Sequence, residues 1–155
     1  MKKIYITAIT FLLLLGGCSS TQQPVMTPME KQSMQTREFE STKSIVFPSV
    51  ISVFQDLGYT IDAADINTGL IKSLSATENS AFFTFMTGAT KNTQTAANAF
   101  IEEIGGIVRV RLTFVTRTRT SSAYGAQDQN DVPIYDANAY QAAFEKIENA
   151  IFVRS

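Results

Sequence analysis

One stretch governs what this chain can fold into. Residues 106–120 alternate over most of their length: Val108, Val110, Leu112 and Phe114 hold even positions, while Arg109, Arg111, Arg117 and Arg119 hold odd ones. Successive side chains of a strand point to opposite faces, so a period of two describes a long strand with one buried face and one wet face. Such a strand needs neighbours along its edges and a cover over its apolar side.

Two segments have the spacing to supply that cover. Val46, Phe47, Val50, Ile51, Phe54 and Leu57 recur at intervals of three and four within 41–57, and Gly58 follows where a left-handed helix end belongs. Pro48 is unwelcome inside a helix and is expected to shorten its start. Tyr140, Ala143, Phe144, Ile147 and Ile151 make an equivalent stripe in 137–152, with Asp136 as its N-cap. A first strand is expected at 34–39. Residues 59–65 alternate, Asn67-Thr68-Gly69 turns, and 70–76 returns, with Gly69 supplying the positive φ of a tight hairpin. Residues 77–106 read as an irregular insertion, with 96–104 a short helix burying Phe100, Ile101 and Ile104. Residues 121–131 read as a polar loop and 132–135 as a short extended piece. The order β-α-β-β-insertion-β-α predicts one α+β domain over 34–155. Its antiparallel sheet is expected to have three to five strands, with two helices packed on one face.

The amino-terminal residues carry an address. Lys2 and Lys3 precede an apolar run that leads into Leu15-Gly16-Gly17-Cys18. A short basic start, about a dozen apolar residues and a small-residue exit describe a signal peptide over 1–17. The run is shorter than the ~20 residues that span a bilayer. The LGGC sequence resembles the lipobox of bacterial lipoproteins. That resemblance implies acylation of Cys18 as the first residue of the mature chain. Ser19, standing where Asp tends to cause inner-membrane retention, implies delivery to the outer membrane on its periplasmic side. The three acyl chains so implied hold firmly where one holds only marginally. A lone cysteine is also the wrong count for a disulfide framework. Residues 18–33, rich in Ser, Thr and Gln with Pro24 and Pro28, then read as a lipidated tether. It would reach ~20 Å as a coil and at most ~50 Å extended.

Composition excludes most chemistry. The chain has no His and one Cys, so Ser–His and Cys–His nucleophiles and imidazole or free-thiolate metal sites are ruled out once Cys18 carries lipid. Asp62 and Asp65 are the closest approach to a carboxylate pair, and they read as solvated strand or turn residues. Asp128, Asn130 and Asp131 lack the Gly and distal Glu of a calcium loop. No catalytic residue, metal or cofactor is expected. Loss of Lys2 and Lys3 with the leader leaves eleven of 13 basic residues against 14 acidic ones, a net charge of −3. That balance gives no reason to expect nucleic acid as a partner.

In residues 44–75 an apolar helix is followed by Leu57-Gly58-Tyr59, a strand, an acidic turn around Gly69 and a second strand. This order resembles the repeated domain of the C-component lipoprotein of the outer-membrane β-barrel assembly machine. That family has two such units where this chain has one, and the arginine-rich strand has no counterpart there. The resemblance is one of fold order and does not by itself carry function over; the absence of His and of a free Cys favours a subunit of an envelope assembly over an enzyme. Two surfaces could serve it. Arg109, Arg111, Arg117 and Arg119 would line a ridge ~33 Å long, suited to phosphate, carboxylate or an acidic partner, or else simply solvate the outer face. Phe82, Phe83, Phe85 and Met86 either cover the sheet or form an exposed apolar contact patch. The reading is a non-enzymatic structural or assembly subunit, in barrel assembly or a secretion-system core. The alternative is a periplasmic binding module for lipid, glycan or peptidoglycan.

Overall fold

The computed structural model describes residues 26–79, 81–122 and 124–155, the side chains of Ala81, Phe82 and Phe83 excepted. The leader and Cys18 lie outside the described residues. The alternating stretch forms β6 (Ile107–Ser121). Val108, Val110 and Leu112 are fully buried and Phe114 nearly so, while Arg109 and Arg111 between them are exposed.

The partner of β6 is the main correction to the sequence reading. Residues expected to form an irregular insertion with a short helix form β5 (Thr90–Ile104), paired with β6 from Thr90↔Ser121 to Ile104↔Ile107. A helix over 96–104 would have turned Phe100 and Ile104 inward. In the strand Ile101, Ala97 and Ala99 are buried, and Phe100 and Ile104 are 40% and 54% exposed. Gly105 and Gly106, both at positive φ, close the β5–β6 hairpin in two residues, as a type I′ turn requires. Ala and Asn are weak strand formers, so β5 owes its conformation to the ladders on its two sides, β6 and the strand Leu70–Leu74.

Around this pair the described residues build a seven-stranded antiparallel sheet, two strands more than the upper expectation, with four helices rather than two. The order is β1-β6-β5-β3-β2, with β4 beside β5 and β7 beside β6. Here β1 is Thr36–Phe39, β2 Thr60–Asp65, β3 Leu70–Leu74, β4 Glu78–Asn79 and β7 Gln127–Pro133. The helices are α1 (Pro28–Gln35), α2 (Lys43–Asp56), α3 (Ala81–Thr87) and α4 (Ala137–Arg154).

Three further differences have local causes. The last part of the expected tether is α1, started by a capping box in which Thr27 and Glu30 bond each other's backbone N–H, with Pro28 in the first turn. The expected strand at 34–39 therefore begins only at Thr36. Pro48 sits inside α2 and does not shorten its start at Lys43. The last part of the expected polar loop and the start of the expected extended piece form one strand, β7, which pairs with β6 from Ser121↔Gln127 to Val115↔Pro133. Polar residues form this strand because the edge of β6 offers their backbone a ladder.

Val46, Val50 and Phe54 of α2, Tyr140, Phe144 and Ile147 of α4, and Ile71, Ile101, Val110 and Leu112 of the sheet share one buried cluster. The Asp136 carboxylate caps α4 by accepting from the N–H groups of Asn138 and Ala139 at 2.9 and 3.3 Å. Beyond Ala96 and Phe114 the sheet leaves this core. Residues 90–95 and 115–121 continue with β4 and β7 as a polar wing in which no described residue is buried. At the root of the wing the Tyr140 hydroxyl enters the ladder. Ile134 N–H bonds the Phe114 carbonyl directly at 2.9 Å. The return bond is relayed: Phe114 N–H donates to the hydroxyl and the hydroxyl donates to the Ile134 carbonyl, both at 3.2 Å. Gln35 Nε2 donates to the same oxygen at 3.3 Å, which uses its full capacity of one donor and two acceptors.

Candidate interaction surfaces

Register decides what the four arginines meet. Arg109 lies between Glu38 on β1 and Glu102 on β5 in one cross-strand row. Its Nε and Nη2 donate to Glu38 Oε1 at 3.0 and 2.8 Å, and its Nη1 donates to Glu102 Oε1 at 3.4 Å. These contacts, the hydrogen bonding to Glu38 first, raise the guanidinium pKa further above its ordinary value. Arg117 faces Asp131 on β7 with Nε 3.5 Å from Oδ2, an ion pair without hydrogen-bond geometry at Nε. Arg119 donates through Nε to Gln129 Oε1 at 3.3 Å. The expected cationic ridge is thus largely a set of cross-strand pairs. Charges this exposed add little to stability but match the strands' register.

Arg111 is the exception. Among the described residues it has no carboxylate within ion-pair distance. It sits between Thr36 and Phe100 in its row and lines an open groove of about 460 Å³ with Met29, Gln32 and Ser33 of α1. Thr36 Oγ1, also lining the groove, is buried with no hydrogen-bond partner among the described residues. Glu102 and Arg109 lie at the same groove, so its formal charges are mixed.

The apolar patch falls on α3, whose seven residues carry no charge. Phe85 is 85% and Met86 65% exposed, so neither covers the sheet. The side chains of Phe82 and Phe83 lie outside the described residues. A second apolar feature was not legible in the sequence. A shallow hollow of about 290 Å³ opens between Leu57 and Tyr59, Phe114 and Ile134, and Ala139, Ala142 and Ala143 of α4. Burial there pushes the Tyr59 hydroxyl above its ordinary pKa.

The two aspartates singled out in the sequence have separate places in the β2–β3 hairpin. Asp65 shapes a turn: its Oδ1 accepts from Asn67 N–H at 2.9 Å, and that bond is the main cause of a carboxyl pKa below the usual range. Asp62 falls at a register shift between Ile61 and Ala63. Among the described residues no group of three or more His, Cys, Asp or Glu could hold a metal ion, and no helix is long and apolar enough to cross a membrane. No family model matches this chain, and comparison with curated proteins finds no match.

Proposed function

We propose that this chain is a lipid-anchored, non-enzymatic subunit of a protein assembly in the bacterial cell envelope, held at the periplasmic side of the outer membrane through Cys18. In this reading the two long helices cover one face of the sheet, and α3 and the wing are free for partners. The observation that carries it is the exposure of Phe85 and Met86 on an uncharged helix that contributes no described residue to the buried core cluster. Exposed apolar groups on a folded domain tend to mark interfaces. A ligand carrier would instead bring its apolar residues around a deep cavity. The apolar hollow beside Tyr59 is small and open, which favours the subunit over the carrier.

The test is purification of the tagged full-length chain from its native envelope in mild detergent. Wild type is expected to recover envelope proteins in fixed ratio. Phe85→Asp combined with Met86→Asp is expected to lose them while keeping its thermal midpoint, because neither residue is part of the core. Recovery of the same proteins by the double variant would sink the proposal.

One observation favours a second reading as a small-ligand module. Arg111 without a carboxylate partner and the Thr36 hydroxyl without a hydrogen-bond partner among the described residues share one groove with apolar Met29 and Phe100. Lipid or glycan that co-purifies with wild type and is lost with Arg111→Ala would move the assignment there.

A further inference from the structure

Among the described residues the sheet has four strands with an outer edge, and three are short or bulged. β1 is four residues long and β4 two. β2 carries its register shift at Ile61/Ala63. Short or bulged edges accept another strand poorly. β7 has neither device: seven residues pair with β6 without a shift, and each is exposed. Its outward groups follow from one bond. Ile134 N–H points to β6, as does the Ala126 carbonyl, which accepts from Ser122. Neighbouring residues of a strand address opposite edges, so Gln127, Gln129 and Asp131 turn both N–H and C=O outward. Pro133 has the same parity, and its missing N–H takes nothing from the β6 ladder.

We propose that β7 pairs antiparallel with β7 of a second copy about a two-fold axis through Asn130, joining two wings into one continuous sheet. Matching the two faces requires the axis to pass through a residue. Centred on Asp131, two carboxylates would face each other, which is unfavourable. Centred on Gln129, Pro133 would face Gly125, whose φ of +83° is not a strand conformation. Centred on Asn130, all seven residues pair and no like charges stand directly opposite; the two Asp131 are diagonal neighbours across the seam. Gln129 faces the partner's Asp131 in both halves, an amide opposite a carboxylate, and Asp128 faces the partner's Val132. Each Gln129–Asp131 pair exchanges two backbone hydrogen bonds, and each Gln127–Pro133 pair makes one. The opposition of Gln129 and Asp131, which places no like charges directly face to face, is the argument for a second copy over a foreign strand. The pairing does not rest on the envelope reading, because it uses the β7 edge alone.

The experiment uses the full-length chain in mild detergent, with the unaltered chain as the background for Cys18. In this register the two Asn130 Cα atoms form a non-hydrogen-bonded pair ~4.5 Å apart, within disulfide range. The two Val132 residues are offset by ~13 Å and out of range. Asn130→Cys is expected to cross-link to a covalent dimer under mild oxidation and Val132→Cys is not. Cross-linking by both variants, or by neither, overturns the proposal. Gln129→Pro removes an outward N–H and leaves the β6 ladder intact. It is expected to weaken the dimer about tenfold or more by sedimentation, with the thermal midpoint of the dissociated chain unchanged. Dimerisation as strong as wild type in that variant would equally overturn it.

Discussion

Tyr140 does two jobs through one side chain. Its ring packs tilted against Phe114 at 4.9 Å between centroids, and its hydroxyl supplies the ladder bond that Phe114 and Ile134 do not make directly. Tyr140→Phe keeps the ring and strands the Phe114 amide. A buried donor left without a partner costs about 1–3 kcal/mol, and the urea midpoint is expected to fall accordingly with the slope unchanged. The sequence placed Tyr140 on the buried stripe of its helix, but the role of its hydroxyl depends on Phe114 and Gln35, which are far away in the chain. Gly69 divides in the same way. Its need for positive φ was legible from the turn, and φ is +76°. Its close approach to β5 was not: a Cβ there would collide with the Ile101 carbonyl, and Ile101 N–H donates to the Gly69 carbonyl at 2.9 Å.

Among the elements, the β2–β3 hairpin forms where expected because its signals are local. Asp65 accepts from the Asn67 amide inside the turn, and Thr68 donates to the Asp65 carbonyl at 3.3 Å. The carboxyl pKa is depressed in the fold, so its contribution is complete above the unfolded carboxyl's pKa and fades as pH falls through the folded one. Asp65→Ala is therefore expected to melt below wild type at neutral pH, and the gap in thermal midpoint is expected to close in acid below the ordinary carboxylate range. A gap that persists there would mean that the charge is not what holds the turn. β5 failed as a sequence reading for the opposite reason. Its alternation of Ala97, Ala99 and Ile101 is weak in apolar contrast, while Phe100, Ile101 and Ile104 imitate a helical stripe. The Gly105-Gly106 pair was the signal that could have corrected it. Once that hairpin is placed, Glu102 falls opposite Arg109 by register.

On the scale of the whole molecule, one strand serves two environments. The first part of β6 lies in the core and the second in the wing. Leu112, fully buried, is expected to cost ~2–5 kcal/mol on change to Ala, as cavity-forming substitutions do. Thr118, on the same strand but in the wing, is expected to change stability by no more than about 0.5 kcal/mol on the same substitution. Chemical denaturation of both variants checks the pair, and comparable losses would show that the wing is part of the cooperative core. The candidate surfaces lie outside that core; the sequence named the Phe82–Met86 patch but left open whether it covers the sheet or faces solvent. A Phe counts the same in sequence whether it is buried like Phe144 or exposed like Phe85.

By itself the sequence determined the elements whose instruction is a repeating contrast of apolar and polar residues within one segment: β6, the stripes of α2 and α4, and the hairpin around Gly69. It also determined the arginine face, because parity along a strand is a local property. The tertiary structure decided the length of β5 and β7, that most of the four arginines meet carboxylates or amides, and that α3 holds Phe85 and Met86 in solvent. The physical reason is that backbone hydrogen bonds carry no side-chain signature. A polar or small-residue segment becomes a strand when a neighbouring edge satisfies its amides and carbonyls, and that edge exists only after the rest of the chain has folded.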